Sequence, residues 1–201
     1  MLFLWATPRS TSTAFEWMMR QRGDFECFHE PFNEAYYYGA DRRSQRDGDV
    51  ADTEGLSYAS VWNQLEAADA NGKVFVKDFA YSVEHELTDE RLAGITSTFL
   101  IRDPRRVIQG LANHWPDCTS DEVGFTALHR LFHRIADREG VAPPVLSSAD
   151  LLDHPAKFAR QWLDEDARWS TVPHPKAWTL RIARIEETVP SATNVAKVLV
   201  S

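Results

Sequence analysis

LFLWATPRSTSTAFEWMMRQR, residues 2–22, changes its periodicity halfway. Residues 2–6 are apolar without interruption, the pattern of a central strand covered on both faces. From residue 12 the spacing turns helical, with Phe15, Met18 and Met19 as an apolar stripe and Gly23 as a stop. Between strand and helix lies ATPRSTST, residues 6–13, with four hydroxyl side chains and one arginine in residues 9–13. A loop that opens a helix presents unpaired backbone N–H groups and the positive end of the helix dipole. Ser10, Thr11, Ser12 and Thr13 can add hydroxyl donors there, and Arg9 a planar cationic fork. An anion site is one reading; a plain N-cap is the other, since Ser and Thr are ordinary caps. The loop is neither G-x-x-x-x-G-K-[ST] nor G-x-G-x-x-G, because it has no glycine.

Working outward, FECF at 25–28 reads as a second strand ending at HEPF, 29–32. Residues from about 31 to 56 read as one long irregular loop, a possible lid. Its Arg42, Arg43 and Arg46 are nearly cancelled by Asp41, Asp47 and Asp49, as in a solvated loop. A helix is expected near 57–70 and a strand at KVFVKDF, 73–79. ITSTFLIR, 95–102, is the best strand and runs into DPRRVIQGLANHW, where Asp103 suits a cap and Pro104 the first turn. A helix over 121–139, a short strand in PPVLSS at 143–148 and a helical continuation through ADLLDHPAKFARQWL complete the pattern. Strands alternating with helices imply an α/β fold: a three-layer sandwich around a parallel, doubly wound sheet, as one domain over 1–201. Such sheets bind ligands at the carboxyl ends of their strands. The segments 7–13, 29–32, 77–79 and 102–106 all fall there.

The 201 residues suffice for one domain with a substantial core, and 43% hydrophobic and 26% charged residues argue against global disorder. A net charge of −8 argues against a nucleic-acid partner. Two cysteines, Cys27 and Cys118, make no disulfide scaffold, and no apolar run suits an export signal or a bilayer. A cytoplasmic protein without a membrane partner is the expectation. His129 and His133 stand at i, i+4 without a third ligand, so no metal is expected. Oligomeric state leaves no mark in the sequence.

PRSTST followed by AFEWMM resembles the 5′-phosphosulfate loop of sulfotransferases that use 3′-phosphoadenosine-5′-phosphosulfate (PAPS), and TFLIRDPRRVIQG resembles their strand–Arg–x-Pro–helix element. The resemblance runs over about residues 1–165, with HEPF and FVKDFAYS similar to substrate-side segments. It implies a P-loop NTPase-like sulfotransferase fold, with PAPS as co-substrate and PAP as product. The acceptor would be a hydroxyl or amine of a small molecule. It assigns Arg9, Ser10, Thr11, Ser12 and Thr13 to the phosphosulfate and Arg102 to the 3′-phosphate. Gly110 occupies the position where the family often has a serine, so that contact would fall to Gln109 or a backbone N–H. A closing segment is not recognisable in the tail, where Arg181 or Arg184 could serve.

Such a transfer resembles phosphoryl transfer, in which positioning and electrostatics do most of the catalysis. Arg9 would neutralise the leaving phosphate and Lys77 would assist at the sulfate oxygens. An alcohol acceptor also needs a general base. The histidine common after the third-strand lysine is absent here. Other members use a glutamate after the second strand, which the resemblance places at Glu30 with His29 beside it. Asp78 and His85 are the remaining candidates, and the order is Glu30, Asp78, His29. Phe28, Phe32, Tyr36, Tyr37, Phe79 and Tyr81 lie nearby and suit an apolar or aromatic acceptor. Two other readings stand beside this one. A divergent P-loop kinase would use ATP, with Asp103 holding Mg²⁺. A non-catalytic homologue would bind the sulfonucleotide without turnover.

Overall fold

The computed structural model describes residues 1–46, 48 and 50–154. Five parallel strands, β1 Leu2–Ala6, β2 Phe25–His29, β3 Lys73–Phe79, β4 Thr96–Ile101 and β5 Val145–Ser147, lie in the order β2-β3-β1-β4-β5. The central strand β1 sets Leu4 opposite Lys77 on one side and Trp5 opposite Phe99 on the other. This is the doubly wound arrangement that alternating strands and helices imply.

Every residue of β1 is buried, because its two faces feed different cores. Phe3 and Trp5 stack with ring centroids 4.7 Å apart. Leu2, Leu4 and Ala6 face one way, onto Phe15 and Met19 of α1 (Ser12–Arg22). Phe3 and Trp5 face the other, joining Phe32 of α2 (Pro31–Tyr38), Trp62 and Leu65 of α3 (Tyr58–Asp69), and Leu128 and Leu131 further on. The polar edge of Trp5 is satisfied by Ser97, Nε1 to Oγ 3.0 Å. Helices on both faces give the three layers. Gly23 ends α1 in the left-handed conformation, φ 81°.

Two short helices, α4 (Ala80–Val83) and α5 (Asp89–Ala93), carry the chain from β3 to β4. Asp103 caps α6 (Pro104–Ala112) by accepting from the Arg105 N–H at 2.8 Å, and Pro104 opens the first turn. The helix expected over 121–139 is two helices, α7 Ser120–Val123 and α8 Phe125–Glu139. Gly124 separates them at φ 81°, and a Cβ there would lie 3.0 Å from the Tyr81 ring.

The expected loop at 31–56 also divides. Its first third is α2, with Pro31 in the first turn and Phe32, Ala35 and Tyr37 buried. The charged run from Asp41 to Glu54 masked that apolar spacing. The remaining loop is stitched down by Thr53 N to Tyr38 O at 2.7 Å and Ala40 N to Leu56 O at 2.9 Å. Arg46 is no solvated charge: it pairs with buried Glu122 and with Asp117 at 2.8 Å, and lies over Trp115. Past β5, α9 spans Ser148–Asp153. The rest of the helical continuation expected through ADLLDHPAKFARQWL, and the separate tail candidates Arg181 and Arg184, lie outside the described residues.

Candidate active site

A cavity of about 350 Å³ opens at the carboxyl ends of the strands. Pro8, Arg9, Thr11, Ser12 and Thr13 line it from the β1–α1 loop, and Arg102 lines it from the end of β4. Glu30, Asn33, Phe79, Tyr81, Leu111, His114 and Trp115 form the rest of the wall. The sequence-predicted loop, Arg102 and Glu30 therefore meet in one place.

The loop's backbone is unlike that of a plain N-cap. Arg9, Thr11 and Glu30 are the non-glycine residues with positive φ among the described residues, at 58°, 68° and 49°. All three line the cavity. Left-handed backbone costs a non-glycine residue about 1–2 kcal/mol, and such strain clusters at functional sites. Thr11 holds the N-cap position of α1, yet its side chain makes no cap hydrogen bond. Its hydroxyl instead lies 2.5 Å from the Ser10 carbonyl oxygen and 2.7 Å from the Ser148 hydroxyl. The first N–H groups of α1 are thus left without the usual side-chain partner.

Ser10 departs from its expected part. Fully buried, it donates to the Thr7 carbonyl at 2.7 Å and shapes the loop rather than facing the cavity. Ser12 and Thr13 line the cavity as expected. Arg102 donates to the Arg9 carbonyl oxygen at 2.8 Å. Gly110 is not in the cavity wall: an added Cβ there would lie 3.3 Å from the Arg9 Cβ, so the arginine stem fills the space a serine would need.

The base candidates sort by burial. Glu30 faces the cavity, with Oε1 paired to the Lys77 ammonium and Oε2 accepting from Asn33 Nδ2 at 3.3 Å. Lys77 is fully buried and reaches no cavity wall; besides Glu30 it has Glu16 at 4.0 Å and the Phe79 ring at 5.3 Å. Asp78 is sealed off too. Its carboxylate accepts from Phe32 N at 2.7 Å, Phe79 N at 2.8 Å and Ser82 Oγ at 3.2 Å, which ties α2 and α4 to the strand end. Burial raises its pKa to about 7, against the pull of the Phe79 and Phe32 N–H groups. His29 turns from the cavity to Glu16, Nδ1 to Oε2 2.5 Å. His85 packs edge-on against Tyr58, away from the wall.

Of the aromatics, Phe79 and Tyr81 line the cavity, whereas Phe32 is core and Tyr37 lies behind. Burial pushes the Tyr81 phenol well up, and it donates to Asn33 Oδ1 at 2.9 Å. Sequence reasoning missed Asn33, Leu111, His114 and Trp115, as well as Glu16 and Ser148. A signal existed for two of them: Glu16 is a charge inside an apolar stripe, and Asn33 stands one helical turn after Glu30.

The family model for the sulfotransferase domain matches residues 1–168. The chain belongs to the sulfotransferase family. Solved structures similar to this sulfotransferase include the sulfotransferase domain of the Synechococcus PCC 7002 olefin synthase, at TM-score 0.49 and 14% identity, covering 82% of this chain and 71% of that one. Mouse sulfotransferase SULT7A1 complexed with PAP is another, at TM-score 0.45 and 11% identity, covering 91% of this chain and 62% of that one. This sulfotransferase thus spans less than two thirds of the mouse protein's length. No curated protein matches its sequence. Among its described residues no group of His, Cys, Asp and Glu is arranged to hold a metal, and no helix is long and apolar enough to cross a membrane.

Proposed function

We propose that this sulfotransferase takes its sulfuryl group from PAPS and delivers it to a hydroxyl or amine of a small molecule. One observation carries the reading: the left-handed Arg9, Thr11 and Glu30 converge with Arg102 on a single cavity. Two cations and an uncapped helix start suit a ligand with two separated anionic groups. When bound, PAPS supplies the sulfuryl group and leaves as PAP.

In this reading Arg9 and the N–H groups at the start of α1 hold the phosphosulfate, and Ser12 and Thr13 add hydroxyl donors. Arg102 meets the 3′-phosphate while bracing the Arg9 carbonyl. Glu30 removes the acceptor's proton. Lys77 acts from behind it, orienting the carboxylate from a fully buried position instead of touching sulfate. Phe79, Tyr81, Leu111 and Trp115 present apolar surface beside Glu30, which favours an acceptor with an aromatic or apolar face. The free thiols of Cys27 and Cys118 suit a reducing cytoplasm.

Calorimetric titration of PAP without added metal tests the donor site. Wild type binds, and Arg102→Ala weakens binding by about 1.5–3 kcal/mol, the scale of a charged hydrogen bond. Absence of wild-type binding overturns the assignment. A screen of phenols, alcohols and amines with PAPS then identifies the acceptor.

A further inference from the structure

Glu16 touches neither the cavity nor the groups assigned to the donor, yet its setting is elaborate. It is 3% exposed on α1, inside the apolar stripe. Burying a carboxylate is costly unless it is paired and hydrogen-bonded. Three cations or potential cations converge on it: Arg20 Nε at 2.8 Å from Oε1, His29 Nδ1 at 2.5 Å from Oε2, and Lys77 Nζ at 4.0 Å from Oε2. Lys77 also pairs with Glu30, and His29 Nε2 lies 3.8 Å from Glu30 Oε1. The imidazole therefore spans two carboxylates, one buried and one facing the cavity. Its side chain is 49% exposed, against 22% for Glu30 and none for Lys77.

We propose that His29, held in place by Glu16, carries to solvent the proton that Glu30 takes from the acceptor. The inference rests on Glu30 being the base. Glu16 and His29 are positioning and relay residues, since neither lines the cavity. With Nδ1–H donated to Glu16, Nε2 carries the ring's lone pair, 3.8 Å from Glu30 Oε1. A ring movement of under about 1 Å brings that pair into hydrogen-bond range.

Atoms and charge balance along this route. The acceptor oxygen forms its new bond to sulfur as the bond from sulfur to the leaving phosphate oxygen breaks, and that electron pair departs with PAP. The acceptor's proton passes to Glu30, then to His29 Nε2, and from the exposed imidazolium to water or buffer. Glu16 stabilises the imidazolium while it lasts. The charged groups around His29 are Glu16 and Arg20 from α1, Glu30 beside it in sequence and Lys77 from β3. His29, 49% exposed against 22% for Glu30, is the more open of the two routes to water.

The test uses the full chain and follows PAP release from PAPS with the best acceptor of the screen, or water if none is found. His29→Ala lowers kcat about tenfold or more, at the lower end of general acid–base effects, and leaves the KM for PAPS within about twofold. Added imidazole, or more buffer at constant pH and ionic strength, restores much of that rate in the variant and leaves wild type unchanged. Glu16→Gln gives a smaller loss that imidazole does not repair. An unchanged kcat in His29→Ala, or a loss indifferent to imidazole and buffer, overturns the relay. Glu30→Gln distinguishes failure of the base from failure of the relay. If it retains full turnover, the base assignment itself fails; if it is inactive while His29→Ala is not, only the relay fails.

Discussion

Arg102 and Arg9 are joined: the Nη1 of the first donates to the carbonyl oxygen of the second at 2.8 Å. The bond fixes a left-handed residue, so the distal arginine sets the shape of the loop as well as adding charge. Arg102→Lys therefore keeps the charge and still loses affinity for PAP, by about 1–2 kcal/mol, because a lysine is a point donor without the planar fork. Calorimetry of Arg102→Lys beside Arg102→Ala checks this. Equal affinity of wild type and the lysine variant would reduce the site to charge alone.

Gly110 makes a second case in which shape outranks donor count. Serine there restores the hydroxyl common in the family but places its Cβ 3.3 Å from the Arg9 Cβ. Gly110→Ser is expected to weaken PAP binding severalfold while changing the melting temperature little, since the exposed Arg9 side chain can yield. Tighter binding of PAP to the variant would contradict this account.

Asp78 contributes a pH dependence of definite sign. Its carboxyl is raised from 3.8 to about 7, so the folded protein holds a proton that the unfolded chain releases between those values. The stability it contributes is full below about 4 and is lost as pH rises toward 7, with a slope of at most about 1.4 kcal/mol per pH unit. Asp78→Asn removes this and leaves one buried N–H facing an amide instead of a carboxylate oxygen. The variant's deficit against wild type is therefore larger at pH 5 than at pH 8. Urea unfolding at the two pH values measures it, and the reverse order would refute the assignment.

The pair of Arg46 and Glu122 predicts both stability and acceptor binding. Both side chains are largely buried, and Tyr37 also donates to Glu122 at 3.3 Å. Arg46→Ala strands a buried carboxylate, at about 3 kcal/mol, and frees Trp115 in the cavity wall. Glu122→Gln in the same chain recovers part of the stability. The KM for the acceptor rises in Arg46→Ala while affinity for PAP stays close to wild type.

The sheet and the loop between β1 and α1 were legible because each rests on local pattern. β1 is apolar throughout, α1 turns the stripe Phe15–Met19 inward, and Asp103-Pro104 marks a helix start whatever surrounds it. The features that escaped depend on distant partners. Whether Lys77 meets a ligand or a carboxylate is decided by Glu30, with Glu16 behind it, both on other parts of the chain. Whether Arg46 is solvated is decided by Glu122 and Trp115, contributed from beyond β4. The roles of Ser10 and Thr11 likewise divide by a backbone sign, φ 68° at Thr11, that serine and threonine do not announce as glycine would.

The hydrogen bond between Thr11 and Ser148 joins the helix end of the β1–α1 loop to the start of α9. In chain order the loop follows β1, whereas its brace at Ser148 comes only after β5, at the start of α9. The loop's shape therefore depends on a residue that is joined to it only after the whole sheet has been laid down. A nascent chain carrying β1 through β4 has the cations in hand but lacks the contact that keeps the Thr11 hydroxyl off the helix start.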